Sequence, residues 1–119
     1  MVSAMKAKNR LQKLEEQIAQ LKRKLSLLGP LHPGSLSRQY NVCGKPGCRC
    51  KAQPKPQRHG PYYKVSYVFR GRFSSCFVRR QDLKAARAEL ANYKQLRKLT
   101  ETWVELSLRR AKEKRKRAA

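Results

Sequence analysis

"YYKVSYVFRGRFSSCFV", residues 62–78, sets β-branched and aromatic residues on either side of Arg70-Gly71, the pattern of two short strands joined by a two-residue turn. In that register Phe69 faces Arg72, Tyr67 faces Ser74, Val65 faces Cys76 and Tyr63 faces Val78, which defines one face of a β-hairpin. Tyr62, Lys64, Val68, Phe73 and Phe77 define the other. A lone hairpin is marginal in water, and "SLSRQYNV", residues 35–42, is the nearest candidate for a third strand. The expected arrangement has Tyr63, Tyr67 and Phe69 inward and Lys64, Arg70 and Arg72 outward.

The segments on either side read as helices. Leu11, Leu14, Ile18, Leu21, Leu25 and Leu28 recur at threes and fours, which places them on one seam of a helix over about residues 5–28. "GPLHPG" ends it, because Gly29, Pro30 and Pro33 cannot continue the hydrogen-bond ladder. A second helix is predicted from Gln81 or Asp82 into the C-terminal tail, with Asp82 favouring its start. Its stripe is Leu83, Ala86, Leu90, Tyr93, Leu96, Leu99, Trp103 and Leu106. The two stripes can pack on each other in a hairpin, or each can pair between chains.

The fold class expected is therefore α+β: long N-terminal and C-terminal helices, forming a helical hairpin or coiled-coil-like stalk, flanking a small antiparallel β-hairpin or three-stranded sheet with a Cys/His knuckle. Three segments divide it: 1–30, an amphipathic heptad helix; 31–80, the knuckle and hairpin; and 81–119, a basic amphipathic helix and tail.

Charge narrows the function. The 119 residues carry 30 Lys and Arg against 7 Asp and Glu, a formal net charge of +23, which calls for a polyanionic partner. No acid occurs between Glu16 and Asp82, while fourteen Lys and Arg do. The central cations are Arg38, Lys45, Arg49, Lys51, Lys55 and Arg58, then Lys64, Arg70, Arg72, Arg79 and Arg80. Seven of the nine aromatics, Tyr62 among them, lie between Tyr40 and Phe77, interleaved with these cations as base stacking and phosphate neutralisation require. In the tail "RRAKEKRKR", Arg115, Lys116 and Arg117 are further candidates for phosphate contact. The first residues lack the apolar run of a signal peptide, and no segment approaches the roughly 20 apolar residues of a membrane span. The expected location is cytoplasmic, with nucleoid or ribonucleoprotein association if nucleic acid is bound.

"NVCGKPGCRCKAQPKPQRHGPYY", residues 41–63, crowds Cys43, Cys48 and Cys50 into eight positions and adds His59. Gly44, Pro46 and Gly47 allow the sharp turn that aims sulfurs at one point. Three thiolates and an imidazole would satisfy a structural zinc ion, with Lys45, Arg49 and Lys51 favouring the thiolates. Cys76 is the alternative fourth ligand, although within a strand it behaves as a small hydrophobe; His32, beside Pro33, is a third choice. Competing readings are a strained Cys48–Cys50 disulfide, a redox pair, or three reduced thiols without metal. No catalytic constellation is evident, since the acids lie on the predicted helices, and no enzyme is expected.

Over residues 34 to about 107, through CGKPGCRC, HGPYY, the hairpin and "ANYKQLRKL", the sequence resembles a family of small, basic, uncharacterised prokaryotic proteins catalogued as a domain of unknown function. The resemblance implies that Cys43, Cys48, Cys50 and His59 form one motif, and that Gly60, Pro61, Tyr62 and Tyr63 enter the hairpin. It also places Cys76 outside the family pattern and Arg-Gly where Asn-Gly is usual. It hints at an association with mobile elements and lends no activity.

Two functions follow. The first is a DNA- or RNA-binding protein with a zinc knuckle, accessory to a mobile element or a ribonucleoprotein. The second is a coiled-coil scaffold or adaptor whose leucine seam makes a homodimer or docks on a larger protein such as a recombinase, with non-specific attraction to nucleic acid.

Overall fold

A computed structural model describes residues 2–118, and the side chains of residues 9–116. Helix α1 spans Val2–Ser26, followed by strand β1 at Ser35–Asn41, a 3-10 turn at Arg49–Lys51, β2 at His59–Phe69, β3 at Arg72–Val78, a second 3-10 turn at Arg80–Asp82, and helix α2 at Leu83–Ala118. The fold is α+β. The chain divides into a helical unit, residues 1–30 and 92–119, and a sheet unit, residues 31–91, so α2 gives its first turns to the sheet unit and the rest to the helical unit.

In the helical unit the two apolar stripes meet within one chain. Leu21 of α1 shares a buried cluster with Leu99 and Leu106 of α2, and Leu14, Ile18, Leu25, Leu28 and Trp103 pack around it. Arg10 reaches Glu113 at 3.4 Å and Arg110 reaches Glu15 at 3.2 Å, pairing the start of α1 with the end of α2 in an antiparallel arrangement. Lys22 Nζ lies 5.3 Å from the Trp103 ring centre, covering an edge of the seam. Beyond α1, Asn92 Nδ2 donates to the Pro30 carbonyl at 2.7 Å, supplying a partner to a segment whose prolines cannot make a regular ladder.

The sheet unit is a three-stranded antiparallel sheet in the order β1-β2-β3. Arg70 and Gly71 both take positive φ, 51° and 76°, as a two-residue turn joining right-twisted strands requires. The register has the four expected pairs, from Phe69 with Arg72 to Tyr63 with Val78. Val65 is buried, Tyr63 and Tyr67 are half-buried beside it, and Leu90 on the first turns of α2 is buried in the same unit. His32 lies edge-on to Tyr67 at 5.0 Å, donates from Nδ1 to the Pro33 carbonyl at 2.6 Å, and bonds through its backbone N–H to the Glu89 carbonyl at 3.0 Å.

Two expectations fail here. Phe69 is exposed rather than inward, because it is the last residue before the turn, and the Arg70 guanidinium lies 5.1 Å from its ring centre. Cys76 is exposed too, although it sits opposite buried Val65, because β3 is an edge strand. Asp82 stands directly before α2 as expected, with its carboxylate bonded to Arg79 Nε at 2.9 Å.

Because the seam is satisfied inside one chain, urea unfolding followed through helix signal should have a midpoint independent of protein concentration. Leu21→Ala should cost roughly 2–5 kcal/mol. Leu27→Ala, at a side chain 83% exposed, should stay within about 0.5 kcal/mol. A concentration-dependent midpoint, or equal losses at the two positions, would count against this packing.

Candidate metal centre and basic surface

Antiparallel pairing of β1 with β2 sets the site. Their ladder closes with Asn41 opposite His59, so the end of β1, two residues before Cys43, lies beside the start of β2, which carries the imidazole. Just inside that pair the register slips by one residue, so that Gly60 and Pro61 stand against Tyr40 alone. Proline has no N–H to give a ladder, and a bulge is where a strand tolerates it. Gly60, at φ 134°, has its Cα so close to the Gln39 carbonyl that a Cβ would come within 2.8 Å of that oxygen. This local break in the ladder re-aims His59 toward the cysteines.

The loop between the strands brings the remaining ligands round. Cys48 N–H bonds to the Lys45 carbonyl at 3.4 Å across Pro46 and Gly47, and the Lys51 and Ala52 N–H groups close a 3-10 turn on Cys48 and Arg49. Gln57 N–H returns to the Arg49 carbonyl at 2.8 Å, bringing the chain back toward His59. Cys43 Sγ lies 3.6 Å from Cys50 Sγ, and Cys48 Sγ lies 3.3 Å from His59 Nε2. All four ligand atoms fall within 4.8 Å of one another, a grouping that could bind a metal ion. Cys50, 1% exposed, is the most deeply buried of them. Neither Cys76 nor His32 joins the cluster.

The thiols are poised differently. The Cys50 backbone N–H directed at the Cys48 sulfur, assisted by the Cys50 and Cys43 side chains, lowers the Cys48 thiol from 9.0 to about 6. Burial pushes the Cys50 thiol up.

The candidate cations are spread over the sheet unit, with Arg70 and Arg72 at the hairpin turn, at the far end of β2 from His59. Arg38, Lys45, Arg49, Lys51, Lys55 and Arg58 are exposed, as are Tyr62, Arg70, Arg72, Arg79 and Arg80. Lys64 is half-buried, its Nζ 6.0 Å from the Phe77 ring centre. Among the described residues of the sheet unit, Arg79 with Asp82 is the only ion pair. Arg115 and Lys116 are exposed in the helical unit, where Lys116 approaches Glu113 at 3.8 Å. The Arg117 side chain lies outside the described residues.

Sequence reasoning did not single out Val68, Phe73 and Phe77 as a surface. Phe73 is 68% exposed, Phe77 66% and Val68 63%, on the sheet face opposite Val65. Strand alternation had assigned them to the face opposite the inward Tyr63 and Tyr67, but nothing local in the sequence says how far that face stays open.

In the reduced, metal-free protein, the rate of thiol alkylation against pH should show one component rising through about 6, and Cys48→Ser should remove it. Because this folded-state value lies below the ordinary one, the thiolate's contribution to stability is complete above about 9 and is lost as the pH falls through about 6. Four thiols all titrating in the ordinary range would contradict the geometry around Cys48.

No curated protein and no solved structure matches this chain. A family profile described as a domain of unknown function, DUF6788, matches residues 7–90, from α1 through the knuckle and the sheet into the first turns of α2. The chain is a member of the DUF6788 family.

Proposed function

We propose that this is a small basic nucleic-acid-binding protein in which Cys43, Cys48, Cys50 and His59 hold a structural zinc ion. The observation carrying the reading is the uncompensated charge of the sheet unit: thirteen Lys and Arg against Asp82 and Glu89, with Arg79 alone in an ion pair among the described residues. A surface of this kind repels itself until an external polyanion neutralises it. Nucleic acid does so while releasing its own counterions. The leucine seam on which the adaptor reading rests packs within the chain, and the open charge of the sheet unit favours the nucleic-acid reading over it.

Zinc suits the donors. Three thiolates and an imidazole are soft to borderline ligands, and the cluster includes no carboxylate for a hard cation. Bonds of about 2.3 Å at tetrahedral angles separate two sulfurs by roughly 3.8 Å. The 3.6 Å between Cys43 and Cys50 is close to that value. Four protein ligands fill the shell, which gives the ion a structural role. Its task is to fix a loop with little secondary structure of its own, on which Lys45, Arg49, Lys51, Lys55 and Arg58 are presented. Those cations offset the net negative charge of a zinc ion with three thiolates.

The purified, nucleic-acid-free protein should contain one equivalent of zinc by elemental analysis, retain it in Cys76→Ser and lose it in Cys50→Ser. Zinc content unchanged in Cys50→Ser would overturn the ligand assignment. Binding to nucleic acid should weaken linearly in log K against log salt, and Arg49→Gln and Lys51→Gln should each reduce the slope by about one. Absence of binding to DNA and RNA near physiological salt would overturn the function.

A further inference from the structure

We infer that the outer face of the sheet is a stacking platform for unpaired bases, so that the protein prefers single-stranded nucleic acid to duplex. This deepens the nucleic-acid reading above and rests on it.

The face is defined by register. Tyr62, Lys64, Val68, Phe73 and Phe77 alternate out of β2 and β3, on the side away from buried Val65. Beside them on the same face are Ser35, Ser37, Gln39, Ser66 and Ser75, by their pairing across the ladder. Short serines leave the rings standing clear of the sheet, and Ser37 already spends its hydroxyl on the Lys64 carbonyl at 3.3 Å. Tyr62 and Phe77 meet edge-on at 6.4 Å, which holds each ring upright. Phe73 and Phe77, four residues apart on β3, are separated by roughly 13 Å of strand, room for two bases to be held separately.

An apolar face this exposed on a small protein marks an interaction site. Charge identifies the occupant. No Asp or Glu occurs anywhere on the sheet. One cation sits among the rings, Lys64 over Phe77, while Arg70 lies in the turn against Phe69 and Arg72 pairs with Phe69 on the opposite face. A ligand that is flat and apolar in its bases and anionic in its backbone satisfies both features. Single-stranded nucleic acid offers free π-faces, which the rings stack without regard to base identity, whereas a duplex keeps its bases stacked on one another and presents phosphate to the same surface. Duplex would therefore use the charges and leave the rings idle.

The test uses the zinc-loaded 119-residue chain, with fluorescent oligo-dT, oligo-U and a matched duplex as probes near physiological salt. Phe73→Ala and Phe77→Ala remove exposed rings, so zinc content and circular dichroism should stay at wild-type values. Each is expected to weaken binding to the single strands roughly tenfold or more, to shift duplex binding less than twofold, and to leave the salt slope unchanged, since a ring carries no charge. Phe77→Tyr should restore stacking. Unequal loss with oligo-dT and oligo-U would show that the platform distinguishes the two strands, by sugar or by the thymine methyl, and would still support it. Wild-type affinity of both alanine variants for single strands, with duplex bound equally well, would overturn the platform while the charge-driven reading stood. Binding to none of the three probes would remove that reading as well. Loss of binding to anionic lipid vesicles in the alanine variants, with single-strand binding intact, would make the face a lipid contact and overturn the platform.

Discussion

The antiparallel pairing of β1 with β2 is the constraint on which the sheet unit depends. It places Asn41 against His59 and so fixes the two ends of the loop that carries Cys43, Cys48 and Cys50. Without that pairing the three cysteines would be a flexible run with a distant histidine. With it, seventeen residues between the strands form a closed loop whose ends are already held, and a metal need only organise the interior. The bulge at Gly60 and Pro61 belongs to the same constraint, because a regular ladder would continue the strand and direct His59 by the ordinary alternation.

Charge and burial are distributed by different rules in the two units. In the helical unit four of the five observed ion pairs use the acids of α1 and α2, and the cations there are partly answered within the chain. The sheet unit answers one of its cations in this way. Surface pairs of this kind contribute little to stability, so the contrast matters less for folding than for what the surface attracts. The proposed binding site therefore belongs to the unit that leaves its positive charge open.

How much of this was legible in the sequence varies by physical cause. The hairpin register was legible because Arg70-Gly71 admits a two-residue turn and the pleat then dictates each partner; a one-residue slip would have sent Val65 and Tyr63 to the other face. The helical packing was legible because the seam of Leu11 to Leu28 has the period of a helix and must be buried. His59 was preferable to Cys76 on the expectation that it lies in a loop beside Gly60. It is in fact the first residue of β2, and it can still be aimed because the bulge at Gly60 and Pro61 breaks the ladder next to it, whereas Cys76 is held inside β3. That Tyr63 and Tyr67 face inward was expected and holds, but apolarity alone does not decide it, since Tyr63, Val65 and Tyr67 on one side and Val68, Phe73 and Phe77 on the other are equally apolar. What decides it is the placement of the first turns of α2, a tertiary fact with no local signal. Phe69 shows the same limit at one residue: alternation assigns its face, but at the turn there is nothing to cover it.

The exposed aromatic face and the cysteine cluster are two consequences of one shortage. In the sheet unit Cys50, Val65 and Leu90 are the buried apolar residues, a core too small to hold a domain of this size by apolar burial alone. A small domain can close that deficit by covering its second sheet face or by adding a staple. Covering the face would consume Phe73 and Phe77. The proposed zinc ion instead supplies binding free energy that is gained only when Cys43, Cys48, Cys50 and His59 come together, and this couples metal uptake directly to folding. The second face is then released from structural duty, and its aromatic rings can remain in solvent, where a ligand rather than the core can use them.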